Sequence, residues 1–135
     1  VVKNGALSVN EYLRSHQFPN IFAGGDNAFF VDPKSQKPAS MLAQIACEQG
    51  KIIAKNVLAQ IEGKKPKSYR VKFKGVIIPL GGKYALLKKG NFVFKGQLIW
   101  ILLRLIDLRY ALSILPFWHA LKKWIHDTNV FVGND

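Results

Sequence analysis

The hydrophobic period of this 135-residue chain changes partway along, and that change limits what it can fold into more than any other feature. Over 39–61, Leu42, Ile45, Ala46, Ile53, Val57, Leu58 and Ile61 recur at helical spacing, and Gly63 supplies a stop. Gly50 inside that helix costs about 1 kcal/mol relative to Ala, so close packing is expected there. Beyond the basic linker Gly63-Lys64-Lys65-Pro66-Lys67 the period falls to two: Tyr69, Val71 and Phe73 face one way, Arg70, Lys72 and Lys74 the other. Further strands are expected over 76–80, 83–87 and 92–94, separated by Gly81-Gly82 and Gly90-Asn91, as a small antiparallel meander. A long helix followed by such a meander is an α+β arrangement.

The flanks complete the outline. A short strand is expected over 6–9 and a turn or brief helix over 11–16. A buried strand over 20–23 should run into the turn Gly24-Gly25-Asp26, and the Pro-containing stretch 31–38 should be a loop. Residues 97–115 are strongly apolar, but Arg104, Asp107 and Arg109 interrupt them. No run therefore reaches the roughly 18 charge-free residues needed to cross a bilayer. On a helix Arg104 and Asp107 share a face and Arg109 lies away from it. Pro116 suits the first position of a last helix. Phe117, Leu121, Trp124 and Ile125 would line one side of it, and His119, Lys122, Lys123 and His126 the other. The chain thus divides into segments 1–62, 63–95 and 96–135.

Charge narrows the partners. The net charge is +12, and the 44 residues between Glu62 and Asp107 hold eleven Lys or Arg and no acid. Such an excess suits a polyanion: nucleic acid, an anionic lipid surface or an acidic protein. Zinc-ligand spacing, a helix-turn-helix pattern and an aromatic RNA-binding strand are all lacking, and a nucleic-acid role leaves the apolar content after residue 96 unexplained. The last helix fits an interfacial anchor in which Phe117, Trp118, Leu121, Lys122, Lys123, Trp124 and Ile125 meet the acyl boundary and the headgroups. The competing readings are a helix packed on the protein's own core with a solvated basic face, and burial of 97–115 in a homodimer. Cys47 is the single cysteine, which excludes an internal disulfide and reads as helix packing. The opening Val1-Val2-Lys3-Asn4-Gly5 is neither an initiator methionine nor a signal peptide, so the chain is expected to begin partway through a larger protein.

Two stretches could carry chemistry. Asn20-Ile-Phe-Ala-Gly-Gly-Asp26 would let backbone approach a cofactor closely, with the Asp26 carboxylate accepting from sugar-like hydroxyls; an ordinary turn with a capping Asp is the plain alternative. Pro38-Ala39-Ser40-Met41-Leu42-Ala43-Gln44 begins a helix, where free N–H groups and the positive end of the dipole favour an anion.

Together with Gly5-Ala-Leu-Ser-Val-Asn10-Glu-Tyr-Leu-Arg14 and Ala43-Gln44-Ile-Ala46-Cys-Glu-Gln49-Gly50, these stretches resemble the closing segment of two-dinucleotide-domain flavoproteins of the pyridine nucleotide-disulfide oxidoreductase superfamily. Within it the chain looks most like the type II (non-proton-pumping) NADH:quinone oxidoreductases. Lys74-Gly75, Gly81-Gly82-Lys83-Tyr84-Ala85, Phe94-Lys-Gly96, Trp100, Arg109 and Trp118 follow that family's carboxy-terminal region in order. The resemblance implies the end of a Rossmann-like FAD-binding domain in residues 1–62, with Gly25 and Asp26 at the FAD ribityl chain and Ala43 and Gln44 at the isoalloxazine edge. It also implies a quinone site drawing on Gln44, Ile45 and Glu48, where the Glu48-Gln49 order reverses the family's common one.

The implied reaction passes hydride from NADH to FAD and electrons to a membrane quinone. The protein would then sit peripherally on the cytoplasmic side of the membrane. The chain contains no GxGxxG, so upstream FAD- and NADH-binding domains would have to supply the rest, and the chain alone should be inactive. Two alternatives are a fragment of a sulfide:quinone oxidoreductase-like flavoprotein and a non-catalytic basic peripheral-membrane module.

Overall fold

The computed structural model describes residues 5–133; the reading made above of the first four residues lies outside them. The chain forms two compact units, one running through Phe73 and one from Lys74 onward.

The first unit is built around one long helix. Two-residue strands β1 (Leu7–Ser8) and β2 (Ala28–Phe29) pair in parallel, Leu7 beside Ala28 and Ser8 beside Phe29. The helix α1 (Ala43–Ile61) lays Ile45 into a core of Val9, Leu13, Phe30 and Tyr69, with Leu42, Ile52, Ile53 and Val71 packed around it. Leu13 sits fully buried at φ 62, in the left-handed region that a branched side chain rarely adopts. The side chain of Asn10 holds that turn by accepting from the backbone N–H groups of Tyr12 and Arg14.

Several expectations for this unit need correction. Helix α1 begins at Ala43, four residues after the expected start, because Ala39 is still tied in an extended segment by its N–H bond to the Phe30 carbonyl. Segment 20–23 is no buried strand: Ile21 is exposed, and the only pairing is an isolated bridge between Arg14 and Phe22. Its backbone groups are used locally, since Ser15 N donates to Ile21 O and Ala23 N to Leu13 O, while β1 finds its partner at 28–29 instead. Gly50 faces open space, so no close packing explains it. The alternation of 69–73 holds for Tyr69 and Val71, which turn inward, but Phe73 is exposed and no ladder forms there; Tyr69 N to Glu11 O anchors the segment.

The apolar positions of α1 do not all find cover, since Val57, Leu58 and Ile61 are exposed. Polar side chains do much of the joining instead. Gln49, Asn56 and Gln60 project from α1 toward the glycine turn, the 12–20 stretch and Lys67. The Asn56 amide donates to the Tyr12 and Lys67 carbonyls at 2.9 and 3.0 Å and accepts from Lys67 N at 2.7 Å. Gln60 accepts from the Arg14 guanidinium and donates to Asn20 Oδ1. Irregular backbone that has no sheet to join is thereby satisfied from the helix.

The second unit is a meander and a helical hairpin. Strands β3 (Val76–Gly81), β4 (Tyr84–Lys89) and β5 (Phe92–Gly96) form an antiparallel sheet in sequence order, as the spacing predicts. Gly82 and Lys83 both take positive φ, 56° and 55°, as a type I′ turn requires, and Gly90 at 60° opens the next turn. Helix α2 (Gln97–Ile114) follows β5 directly and packs on β4, with Ala85 buried completely. Helix α3 (Phe117–Gly133) begins one residue after Pro116 and returns along α2.

The hairpin is joined by polar contacts. Arg104 is buried on α2 and forms an ion pair with Asp107 at 2.9 Å, the shared face expected from their spacing. Arg104 Nε also donates to Thr128 Oγ1, its guanidinium lies over the Phe131 ring, and Trp124 Nε1 donates to the Arg104 carbonyl. Burial pushes the Asp107 carboxyl above its usual range against the pull of Arg104, with Asp127 adding to the rise. Among the described residues no helix is long and apolar enough to cross a membrane.

Candidate functional site

The site grows from a close approach between the glycine turn and α1. Gly24 is extended, yet a Cβ there would stand 2.9 Å from Ile53 Cδ1 and 3.2 Å from Gln49 Cβ. At Gly25, with φ 64, a side chain would be strained and would press on Ala46. Only glycine at both positions lets the turn lie this close to the helix. Gln49, almost wholly buried, fixes the turn by accepting from Gly25 N at 2.7 Å.

Residues 25–27 then form a single 3-10 turn that leaves Asp26 exposed at its middle. Beside it is a shallow recess lined by Gly25, Asp26, Ser40, Met41, Leu42 and Ile45, among others. The helix start at the recess has Leu42 as its N-cap, an extended residue whose side chain cannot accept a hydrogen bond, and no side chain caps the first turn. The arrangement sets the positive end of the α1 dipole beside an exposed carboxylate.

The residues expected to act together are placed unequally. Gly25 and Asp26 share the recess with Ile45, which is 3% exposed and forms part of the core as well as the recess wall. Ala43 and Gln44 open α1, Ala43 exposed and Gln44 half-buried. Glu48 is half-buried one turn along and close enough to Tyr69 for its charge to raise the tyrosine's pKa. The Tyr69 hydroxyl is buried with no hydrogen-bond partner among the described residues, and burial first, then Glu48 and Asp32, push it up to about 12. Burial alone would raise Asp32, but hydrogen bonds from Ser35 and from the Lys34 backbone, with Arg70 nearby, outweigh it and hold the carboxyl below its usual value.

Of the expected anchor residues, Phe117, Trp118, Lys122, Lys123 and Ile125 are exposed, Trp118 at 75%. Leu121 and Trp124 are half-buried, the latter through its bond to α2. No group of three or more His, Cys, Asp or Glu that could hold a metal ion occurs among the described residues.

Sequence reasoning missed Gln49 as the side chain that fixes the glycine turn. The signal available was its place on the Ile45 stripe, one turn on, where a polar residue on an inward face needs a partner.

No protein-family model matches the chain. Among curated proteins it is similar to the type II NADH:quinone oxidoreductases of Staphylococcus aureus strains MSSA476, MW2 and COL, 26% identical over 122 residues in each case. Those 122 residues are 90% of this chain and 30% of each relative, so the chain spans less than a third of the length of the relatives it matches. Both units fall within reach of that similarity, and it supports a general oxidoreductase reading: this α+β chain matches one part of proteins named type II NADH:quinone oxidoreductase.

Proposed function

We propose that the chain is the carboxy-terminal portion of an FAD-dependent NADH:quinone oxidoreductase and contributes one wall of its flavin site, at the surface of a membrane. The observation that carries this reading is the Gly24-Gly25 turn, locked against α1 by Gln49 so that Asp26 is presented beside an uncapped helix start. The residues suit a flavin. The glycine turn packed on α1 fixes where Asp26 is presented, the carboxylate can accept from ribityl hydroxyls, and the helix start favours the negative charge of a reduced ring. FAD, when bound, would supply the two-electron chemistry between NADH and a quinone.

The chain's own residues have simpler duties. Gly25 and Asp26 bind and orient, and the α1 start with Ala43 and Gln44 polarises. Gln44, Ile45 and Glu48 form the flank offered to a quinone. The exposed apolar and basic side chains of α3 would hold the protein peripherally on the cytoplasmic face. Upstream FAD- and NADH-binding domains would complete the enzyme.

The test is flavin content. The 135-residue chain alone should bind no stoichiometric FAD. In the longer parent protein, Asp26→Ala should weaken FAD binding at least tenfold, roughly the loss of one charge-assisted hydrogen bond, and so lower the flavin retained per polypeptide and NADH oxidation by a quinone. Full flavin occupancy in that variant would refute the placement of Asp26.

A further inference from the structure

The second unit leaves much apolar surface uncovered, and it is not confined to the last helix. On β5, Phe92 is 70% and Phe94 51% exposed, and their rings stack with centroids 6.4 Å apart at 24°. The strand order places β5 at an edge of the sheet. The register sets Phe92 opposite Lys89 and Phe94 opposite Leu87 on one face. Val93 lies on the other face, where Ile78 and Tyr84 are also exposed. Leu98, 80% exposed, opens α2 just beyond. Lys83, Lys88, Lys89 and Lys95 are interleaved with these residues and all exposed, and no acid occurs anywhere between Glu62 and Asp107.

We propose that this β3–β5 sheet, led by the Phe92–Phe94 pair, is a contact surface for an anionic lipid bilayer in its own right. Charge selects the occupant. A second copy of this chain would bring the same acid-free lysine-rich sheet against the first, and edge lysines oppose strand-to-strand pairing. A nucleic acid would meet the lysines but offer no apolar cover to Phe92 and Phe94. A bilayer with acidic headgroups answers both features: ammonium groups at the headgroup level and rings in the acyl boundary. The proposal rests on the membrane-surface part of the proposed function and is independent of the flavin part; a parent protein that binds no flavin leaves it untouched.

The experiment uses the whole chain with Cys47→Ser and Phe92→Cys, the new thiol carrying an environment-sensitive fluorophore. A second labelled variant, with Phe18→Cys in place of Phe92→Cys, reports from an exposed site on the first unit. Vesicles are phosphatidylcholine, with or without phosphatidylserine. With phosphatidylserine present, the probe at 92 should shift to the blue and be quenched by brominated acyl chains, while the probe at 18 does neither. Unlabelled Phe92→Ser/Phe94→Ser, its fold checked by circular dichroism, should partition onto the same vesicles roughly tenfold or more weakly, as expected for two half-buried rings.

A chain that binds while the probe at 92 stays in water would overturn the sheet contact and leave α3 as the anchor. Binding to neither vesicle would overturn the sheet contact and the membrane reading together. A solution dimer that the double serine variant dissociates, with vesicle binding unchanged, would assign the sheet to a second copy instead.

Discussion

Tyr69 shows what burial does to a single group. Its ring packs on Phe30, centroids 5.2 Å apart, so the residue contributes to the core, while its hydroxyl is dry and unpartnered among the described residues. A buried hydroxyl without a hydrogen bond costs stability that a phenyl ring does not. Tyr69→Phe should therefore raise the urea midpoint, by about 1 kcal/mol of stability at neutral pH. The pH dependence is also signed. The folded value lies at about 12 against an ordinary 10.0, so between those values the unfolded chain releases the proton first and binds fewer protons. Stability should then fall as pH rises through that window, and Tyr69→Phe should flatten this part of the profile. Denaturant titrations of both proteins from pH 9 upward check the pair of outcomes, with pH 9 chosen as about one unit below the tyrosine reference.

At the scale of elements, α1 is held both by Ile45, Ile52 and Ile53 in the core and by amides that reach into loops. Asn56→Ala would strand the Lys67 N–H and the Tyr12 and Lys67 carbonyls in a site where the side chain is wholly buried. The expected loss is about 3 kcal/mol, read as a lower denaturant midpoint, with faster amide exchange at Lys67 as the local signature. Gly50 makes the opposite case. Helical backbone with open space at the Cβ position gains from a methyl, so Gly50→Ala should stabilise by about 0.5–1 kcal/mol, measured in the same titration. A loss on that substitution would mean that something covers this face of α1 in solution.

For the whole molecule, net charge and exposed apolar area have to be considered together. A charge of +12 opposes self-association, while the uncovered side chains of α2, α3 and the sheet favour a nonaqueous surface. Binding to vesicles containing phosphatidylserine should therefore weaken as salt rises from low to physiological strength, as the screening length shortens to about 8 Å, but should not vanish, because the apolar part is not screened. Co-sedimentation across a salt series measures this; complete release at moderate salt would leave only the electrostatic half of the interaction.

The sequence by itself determined the elements whose cause is local. The helical period put α1 nearly in place, alternation with glycine turns marked the three strands of the meander, and the i,i+3 spacing anticipated the Arg104–Asp107 pair. Interrupting charges likewise forecast that 97–115 would form no spanning helix. Only the tertiary structure decided the rest. The start of α1 moved to Ala43 because Ala39 is tied to Phe30 by one backbone bond, which no hydrophobic period encodes. The tight glycine proved to be Gly24 and not Gly50, since close approach depends on which element arrives opposite. Gln49 became the clamp of the candidate site for the same reason: a buried amide is explained by its partner, and its partner lies 24 residues away in sequence.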